Sequence, residues 1–522
     1  MKAKSLISKS SNVFFVLGVS LILSACSGSS TEEPTEVAEI DDPVVVNPPA
    51  EMSELDQQLT GIIAANNLTG DPTTNRDLPS VNDPIVQLGK RLFFTKSLGG
   101  NQDAACVSCH HPALGGGDDI SLPVGIDAAN PDLIGVGRTN GGVPTVPRNS
   151  PTVFNAGLWD SGMFWDSRVE SLGKQVNQNG AASGIRTPDS NFGVADPDAG
   201  STLPAAQARF PVTSVDEMKS EDFEGGSTNQ AIRDHLAARI GDYGIGSGEL
   251  TTNSWLAAFQ EAFQSEEIAD DLITYDRIAH ALGEYERSMV FVNNPWKSYV
   301  EGDLTALTDQ QKQGAILFFT PANQGGAGCV NCHNGDKFTD ERHHVIAFPQ
   351  FGPGKGDAQN DDFGRERETG NQNERYHFRT PSLLNVTVTA PYGHSGAYAT
   401  LAQVIQHYNN PGGSVDDFFD DSEWCDMPQF AAIPNCQGLF PDSENNSQEA
   451  LNKLLAERAA GSSLFLNTNI NRNERDQIEA FLNALTDPCV TNRECLSAWI
   501  PEESEALDDN QIQAVDQNGN LL

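Results

Sequence analysis

The sequence predicts a mainly α-helical protein with long loops, few strands and two related domains in tandem. Three observations lead to this prediction. A C-x-x-C-H pattern occurs twice, at residues 106–110 and 329–333. Each copy follows a similar helical segment, at 83–95 and at 307–320. Helical periodicity recurs between and after the two copies, whereas the alternating pattern of strands is scarce.

The C-x-x-C-H pattern is the attachment signature of a c-type haem. Two thiols one turn apart can each form a thioether to the porphyrin, and the histidine that follows becomes the proximal iron ligand. A disulfide or zinc pair beside an unrelated histidine is the alternative, and two copies count against it. We therefore expect two cytochrome c-like haem domains with two covalently bound haem c groups. The predicted haem-binding residues are Cys106, Cys109 and His110 in the first domain and Cys329, Cys332 and His333 in the second.

The segments before the two motifs support an internal repeat. Residues 88–94 read LGKRLFF and residues 313–319 read QGAILFF, and each is followed by a Gly-rich run and the haem motif. Asp83 with Pro84 and Thr308 are the expected starts of these two helices. Further helices are predicted at 53–66, 229–240, 254–264, 274–290, 400–408, 447–460 and 472–485.

The overall charge excludes some partners. The 522 residues contain 32 Lys and Arg against 72 Asp and Glu, which gives a formal net charge of −40. Such a chain is poorly suited to nucleic acid or to an anionic membrane surface. A basic partner protein and simple solubility both remain open as explanations.

The N-terminus predicts export. A basic start precedes an apolar run at 13–23, which is too short for a convincing membrane span. The run ends in Leu-Ser-Ala-Cys at 23–26, which resembles a bacterial lipobox and predicts a lipid anchor on Cys26. Ser27 favours the outer membrane, so we expect a lipid-anchored periplasmic protein. An ordinary signal peptide that is cleaved nearby is the alternative.

These features suggest a division of the chain, with the boundary between the two haem domains near 295–305. The residues after Cys26 are rich in proline and acids and resemble a flexible tether. The predicted parts are a signal peptide at 1–25, a tether at 26–70, haem domains at 71–300 and 301–500, and an acidic tail at 501–522.

Four cysteines lie outside the haem motifs and the lipobox. In an oxidising compartment, short separations favour the pairs Cys425–Cys436 and Cys489–Cys495. The sequence alone leaves the connectivity open.

Several longer motifs resemble those of the bacterial di-haem cytochrome c peroxidase family, which includes MauG. The resemblance covers roughly 75–490, and it implies a peroxidatic first domain and an electron-transfer second domain. The implied enzyme is an oxidoreductase that reduces hydrogen peroxide with electrons from a cytochrome c or another protein donor. The motifs are HPALGGGD at 111–118, RNSPTVFN at 148–155, FWDSR at 164–168, RTPSLLNV at 379–386 and TAPYGHSG at 389–396.

The resemblance implies an open first haem. Ile126 stands sixteen residues after His110, where the peroxidases that need reductive activation have a removable histidine. The alternative is that His235 or another distant group fills this site. Gln207 and Glu217 have the family's ten-residue spacing, and the glutamate would transfer the proton during peroxide cleavage. A solvated surface glutamate is the alternative for Glu217.

The resemblance also implies a tyrosine at the second iron. Tyr408 lies fourteen residues after His394, where most members have methionine and MauG has tyrosine. A phenolate would stabilise oxidised iron better than a thioether. A tyrosine packed in the core, or ligation by Met427 or His407, is the alternative.

Two further roles follow from the same resemblance. Trp165 would lie between the haems and carry oxidising equivalents, or it would be an ordinary core aromatic residue. One calcium ion is expected between the domains, held by the side chain of Asn149 and the carbonyl oxygens of Thr389 and Pro391.

Four functions remain open at this stage. The first is peroxide reduction with a protein electron donor. The second is a MauG-like oxidation of a protein substrate through a high-valent di-haem state. The third is a non-catalytic di-haem electron-transfer cytochrome. The fourth is an oxygenase on the same scaffold, which would need dioxygen in place of peroxide. We expect hydrogen peroxide and an electron-donor protein as partners, and a homodimer is one option for assembly.

Overall fold

The computed structural model describes residues 52–522. The predicted signal peptide, Cys26 and most of the predicted tether lie outside the described residues. The α-helices are α1 Glu54–Ala65, α2 Pro84–Phe94, α3 Leu203–Gln207, α4 Asn229–Gly241, α5 Trp255–Phe263, α6 Ala269–Leu272, α7 Tyr275–Ser288, α8 Pro295–Val300, α9 Asp309–Phe319, α10 Glu366–Thr369, α11 Leu401–Asn409, α12 Pro411–Asp420, α13 Ser443–Ala460, α14 Arg472–Asn483 and α15 Arg493–Leu496.

Strands are few and short in the described part of the chain. One antiparallel sheet has the order β1-β2-β3, and a second pairs β4 with β5 so that His343 faces Arg379. The prediction of a mainly helical fold with few strands is confirmed. The strands are β1 Gly162–Met163, β2 Val169–Ser171, β3 Ile185–Arg186, β4 His343–His344 and β5 Phe378–Arg379.

The predicted helices form with small shifts at their ends. Thr308 caps α9 in a capping box with Gln311, as the local sequence predicts. Pro84 opens α2, although the side chain of Asp83 makes no capping bond there. Helix α12 was not predicted, because it begins with Pro-Gly-Gly, residues of low helix propensity. The side chain of Asn410 supplies its N-cap.

The internal repeat extends to a second helix in each half. Helix α2 packs on α7, and α9 packs on α14. At Gly89 a Cβ atom would overlap the carbonyl oxygen of Ala281, and at Gly314 it would overlap that of Gln477. Each half therefore contains a helix pair whose close approach requires glycine.

The two ends of the described chain pack on opposite halves. Asp56 of α1 accepts hydrogen bonds from Lys312 of the second half and from Tyr299 at the boundary between the halves, both at 2.7 Å. Asp508 accepts bonds from Ser97 and from the Trp255 indole, both at 2.8 Å, in the first half. Residues 54–65 and 507–515 are thus folded parts of the body, although the predicted tether and acidic tail include them. Their buried apolar side chains explain this, since both segments close hydrophobic cores.

Both predicted disulfides are present, Cys425–Cys436 and Cys489–Cys495. Among the described residues, the free cysteines are the four of the haem motifs. Within residues 52–522 no helix combines the length and the apolar character that a membrane crossing requires.

Candidate functional site: two haem cavities

The first haem motif forms a tight helical turn over Cys106–Ser108, and its histidine lines a cavity. Nδ1 of His110 lies 3.2 Å from the carbonyl oxygen of Gly116. A hydrogen bond from this nitrogen leaves Nε2 free for iron and fixes the ring orientation. Burial lowers the pKa of His110 to about 4, so the ring is neutral, as an iron ligand must be.

The predicted catalytic residues line the same cavity. Gln207 ends α3, Glu217 lies in the turn Val215–Lys219, and Trp165 follows β1. Burial raises the pKa of Glu217, while the positive charges of Arg168 and Lys355 act in the opposite direction. The structure therefore brings Gln207, Glu217 and Trp165 together with His110.

The alternatives for the first iron find no support in this geometry. His110 is the one histidine among the cavity-lining residues of the described chain, and Ile126 lies outside the lining. His235 is held between Glu224, at 2.7 Å, and Glu249, at 2.6 Å. The carboxylates of these two residues occupy both of its ring nitrogens.

Three further ionisable residues of this cavity were missed by sequence reasoning. Arg168 pairs with Asp166 at 3.3 Å. Lys355, from the second half, has no ion-pair partner among the described residues, and burial with the nearby Arg148 and Arg168 lowers its pKa to about 8. Burial raises the pKa of Glu286 to about 8, so this carboxyl group is protonated at neutral pH. Arg168 ends the FWDSR motif that contains Trp165, whereas no local signal marks Lys355 or Glu286, because distant segments bring them to the cavity.

The second haem motif repeats the arrangement of the first. It forms a turn over Cys329–Asn331, and Nδ1 of His333 lies 3.0 Å from the carbonyl oxygen of Phe338. Burial lowers the pKa of His333, so its Nε2 is again available to iron. Most of the walls are apolar, as a porphyrin requires, and include Phe318, Leu384, Ile405, Phe465, Ile478 and Leu482.

Tyr408 lines the second cavity from α11. Its hydroxyl group makes no hydrogen bond to another described residue, and burial raises its pKa. The alternative ligands are engaged elsewhere. His407 accepts a bond from the Tyr398 hydroxyl at 2.8 Å and lies 2.9 Å from the carbonyl oxygen of Ile346, and Met427 contacts Ser121.

Trp165 and Asn149 line both cavities. The indole nitrogen of Trp165 donates to the carbonyl oxygen of Asn149 at 3.0 Å. The amide nitrogen of Asn149 donates to the carbonyl oxygens of Ile120 and Ser121, so its Oδ1 is the atom left for a cation. Thr389 and Pro391 line the second cavity beside Asn149 and offer neutral oxygens, which suit calcium.

Comparison with known proteins agrees with this geometry. The family model described as "Di-haem cytochrome c peroxidase" matches residues 83–305. A cytochrome c551 peroxidase of Pseudomonas aeruginosa is 30% identical over 330 residues, which cover 63% of this chain and 73% of that protein. The chain belongs to the di-haem cytochrome c peroxidase family. Four free haem-motif thiols and two neutral histidines that line cavities fit the two haem c groups of this family.

Two further proteins are similar to this chain. The methylamine utilization protein MauG of Methylorubrum extorquens is 28% identical over 330 residues, or 63% of this chain and 69% of that protein. A crystal structure of a MauG-like protein associated with microbial copper homeostasis has a TM-score of 0.50 at 21% identity, covers 80% of this chain and 94% of that one, and shows a shared fold. The chain is thus an oxidoreductase with relatives named both cytochrome c peroxidase and MauG.

Proposed function

We propose that the protein reduces hydrogen peroxide in the first cavity with electrons that a cytochrome c or another protein donor delivers through the second. The observation that carries this proposal is the presence of Glu217 and Gln207 in the cavity of His110. A purely electron-transferring cytochrome has no use for a half-buried acid beside an open coordination site. The geometry therefore favours catalysis over the non-catalytic alternative.

The iron of a haem held by Cys106, Cys109 and His110 would bind peroxide and take up its oxidising equivalents. Two electrons and two protons convert one peroxide into two waters. Glu217 accepts the proton from the inner peroxide oxygen and returns it to the outer one. Gln207 has an amide group that can orient the peroxide by hydrogen bonding.

The remaining roles extend the proposal to the second cavity. Trp165 lines both cavities and connects them, and Tyr408 is the proposed sixth ligand of the second iron. A calcium ion on Asn149, Thr389 and Pro391 would hold the wall between them. We place the protein in the periplasm, anchored through Cys26, with a homodimer as one option.

MauG-like oxidation of a protein substrate is the second candidate. Two observations on residues 52–522 favour it: the Tyr408 hydroxyl makes no hydrogen bond to another residue in the second cavity, and the first cavity is lined by no histidine besides His110. Both candidates use the same proton transfer in the first cavity. They differ in whether the protein reacts with peroxide before any reduction and in which molecule supplies the electrons.

The proton transfer is tested with Glu217→Gln. We expect the second-order rate constant for hydrogen peroxide to fall by about 100-fold or more, because general acid–base groups contribute on this scale. Stopped-flow absorbance of the diferric and the half-reduced protein measures the rate constant. Glu221→Gln, an exposed neighbour, is the control. An unchanged rate in Glu217→Gln contradicts the proposal.

The second ligand is tested with Tyr408→Phe. We expect the absorption and electron paramagnetic resonance signals of the second haem to change while those of the first stay the same. Tyr392→Phe is the matched control, since Tyr392 lines the same cavity but donates its hydroxyl to the carbonyl oxygen of Val386 at 3.0 Å. A second-haem spectrum that Tyr408→Phe leaves unchanged excludes this ligand.

A further inference from the structure

We infer that Gln429, in a disulfide-closed segment of the second half, is a positioning residue for Glu217 in the cavity of the first half. The segment, residues 424–436, is called the brace below. It acts on Glu217 through the loop at 120–126, which follows the first haem motif. The inference rests on the proposed role of Glu217 and adds a cross-domain support to it.

The brace binds the loop by side-chain-to-backbone hydrogen bonds. The Oε1 atom of Gln429 accepts from the Leu122 N–H at 3.1 Å, and its Nε2 atom donates to the Leu122 carbonyl oxygen. The hydroxyl group of Ser121 donates to the sulfur of Met427 at 2.8 Å. A single glutamine thus satisfies both backbone groups of Leu122, as a neighbouring strand would.

The brace is itself held firmly. The Cys425–Cys436 disulfide closes it, and Phe430 packs against Phe351 with ring centroids 5.6 Å apart. Leu122 is fully buried in the same apolar cluster, which also contains Phe418. The loop therefore rests on a packed and covalently closed surface from the second half.

The other side of the loop packs against the turn Val215–Lys219, which contains Glu217 and is named the catalytic turn. Pro123 lines the first cavity, and a Cβ atom at Gly125 would overlap the carbonyl oxygens of Asp216 and Glu217. The backbone of the loop at Gly125 therefore lies directly against the backbone of Asp216 and Glu217. Arg138 fixes the loop there, since it donates to the carbonyl oxygens of Val124 at 2.7 Å and Gly125 at 3.0 Å.

A continuous path of contacts thus runs from Gln429 to Glu217. A backbone hydrogen bond also connects the catalytic turn to the segment before the first haem motif. The Gly100 N–H donates to the Met218 carbonyl oxygen at 2.8 Å. That bond holds the far end of the turn, whereas the loop supports Glu217 itself. Displacement of a proton-transfer group by about 1 Å can cost up to about 100-fold in rate.

The test uses Gln429→Ala in the full di-haem protein. We expect the second-order rate constant for hydrogen peroxide to fall by about tenfold or more in this variant, while its second-haem spectrum and haem content stay unchanged. The control variant Gln437→Ala should keep the rate constant of the unmodified protein. Gln437 is an exposed glutamine beside the brace. The variant Cys425→Ser/Cys436→Ser should show the same loss, and combining it with Gln429→Ala should add little.

A double-mutant cycle separates positioning from general damage. In a Glu217→Gln background, Gln429→Ala should cause no further loss, because its effect passes through Glu217. An additional loss of the same size in that background overturns the inference, as does a Gln429→Ala rate equal to that of the unmodified protein. If Glu217→Gln alone has no effect, the proposed function fails instead.

Discussion

The two haem cavities share the same attachment motif but differ in their remaining walls. In each, a C-x-x-C-H turn presents a neutral histidine whose Nδ1 is tied to a backbone carbonyl oxygen. Beyond the histidine, the first cavity contains Glu217 and Lys355, whereas the second contains Tyr408 among mostly apolar walls. The repeat thus supplies two equivalent attachment sites, and the remaining walls decide what each iron could do.

The walls that differ come from outside the repeat. Glu217 lies in the turn Val215–Lys219, which packs against the loop at 120–126. Lys355 reaches the first cavity from the second half, and Tyr408 comes from α11. Two copies of one scaffold can therefore serve different chemistry without any change in how the haem is attached.

The largest expected effect is the loss of one haem at a time. Cys106→Ala/Cys109→Ala should lack the first haem, and Cys329→Ala/Cys332→Ala the second, because each thiol pair holds its own porphyrin. Intact-mass spectrometry and haem-to-protein ratios measure this. Only the first variant should lose all binding of peroxide. Retention of two covalent haems in either variant would show that the cavities are assigned wrongly.

The second-largest effect concerns the equivalent helix pairs of the two halves, α2 with α7 and α9 with α14. Gly89→Ala and Gly314→Ala should each lower the free energy of unfolding by about 3 kcal/mol, because the new methyl group overlaps a carbonyl oxygen of the facing helix. Gly61→Ala in α1 has open space and should raise it by about 0.5–1 kcal/mol. Denaturant unfolding of all three variants checks this. A large loss in only one half would mean that the repeat does not extend to helix packing.

The local features of this chain were predictable and the long-range ones were not. The haem motifs, the cap at Thr308 and both short disulfides depend on neighbouring residues, so sequence spacing is sufficient for them. Gln429 and Leu122 are 307 residues apart, and no pattern near either residue indicates that they meet. The packing of α1 on the second half was missed for the same reason.

The family resemblance identified some of the residues that distant segments bring into the cavities. It named Glu217, Gln207 and Tyr408 by register alone, and the structure places each of them in a haem cavity. It could not indicate Lys355, whose Gly-rich loop packs against Leu122 and the aromatic cluster. A residue that lies outside the recognised motifs, such as Lys355, can be assigned to the cavity only from the structure.

The third effect tests the connection between the cavities. Trp165→Phe should slow the absorbance change of the second haem after peroxide addition by about tenfold, about 1.4 kcal/mol in the barrier, since Trp165 lines both cavities. Stopped-flow absorbance at wavelengths specific to each haem follows this step. Trp159→Phe is the control, because Trp159 lines only the second cavity. Equal rates in both variants and the unmodified protein would mean that electrons cross elsewhere.

The smallest effect concerns the charge that distinguishes the first cavity. Lys355 is half-buried there without an ion-pair partner among the described residues, and its pKa of about 8 means that it is mostly charged at neutral pH. A protonated Lys355 attracts anions, and this attraction disappears as the pH rises through about 8. Azide stays anionic in this range. Its affinity for the first haem should therefore fall in a step as the pH rises through about 8.

Lys355→Met should remove that step and weaken azide binding at neutral pH by about fivefold, which is about 1 kcal/mol for one charge near a partly solvated site. Lys355→Arg keeps the charge and should lose the step while retaining tight binding, because a guanidinium group stays protonated in this range. Spectroscopic titration of the diferric protein with azide gives all three affinities. If Lys355→Met binds azide as the unmodified protein does, with the same pH dependence, the ammonium group does not act on the open iron. The charge difference between the two cavities must then reside in Arg168 and Glu217.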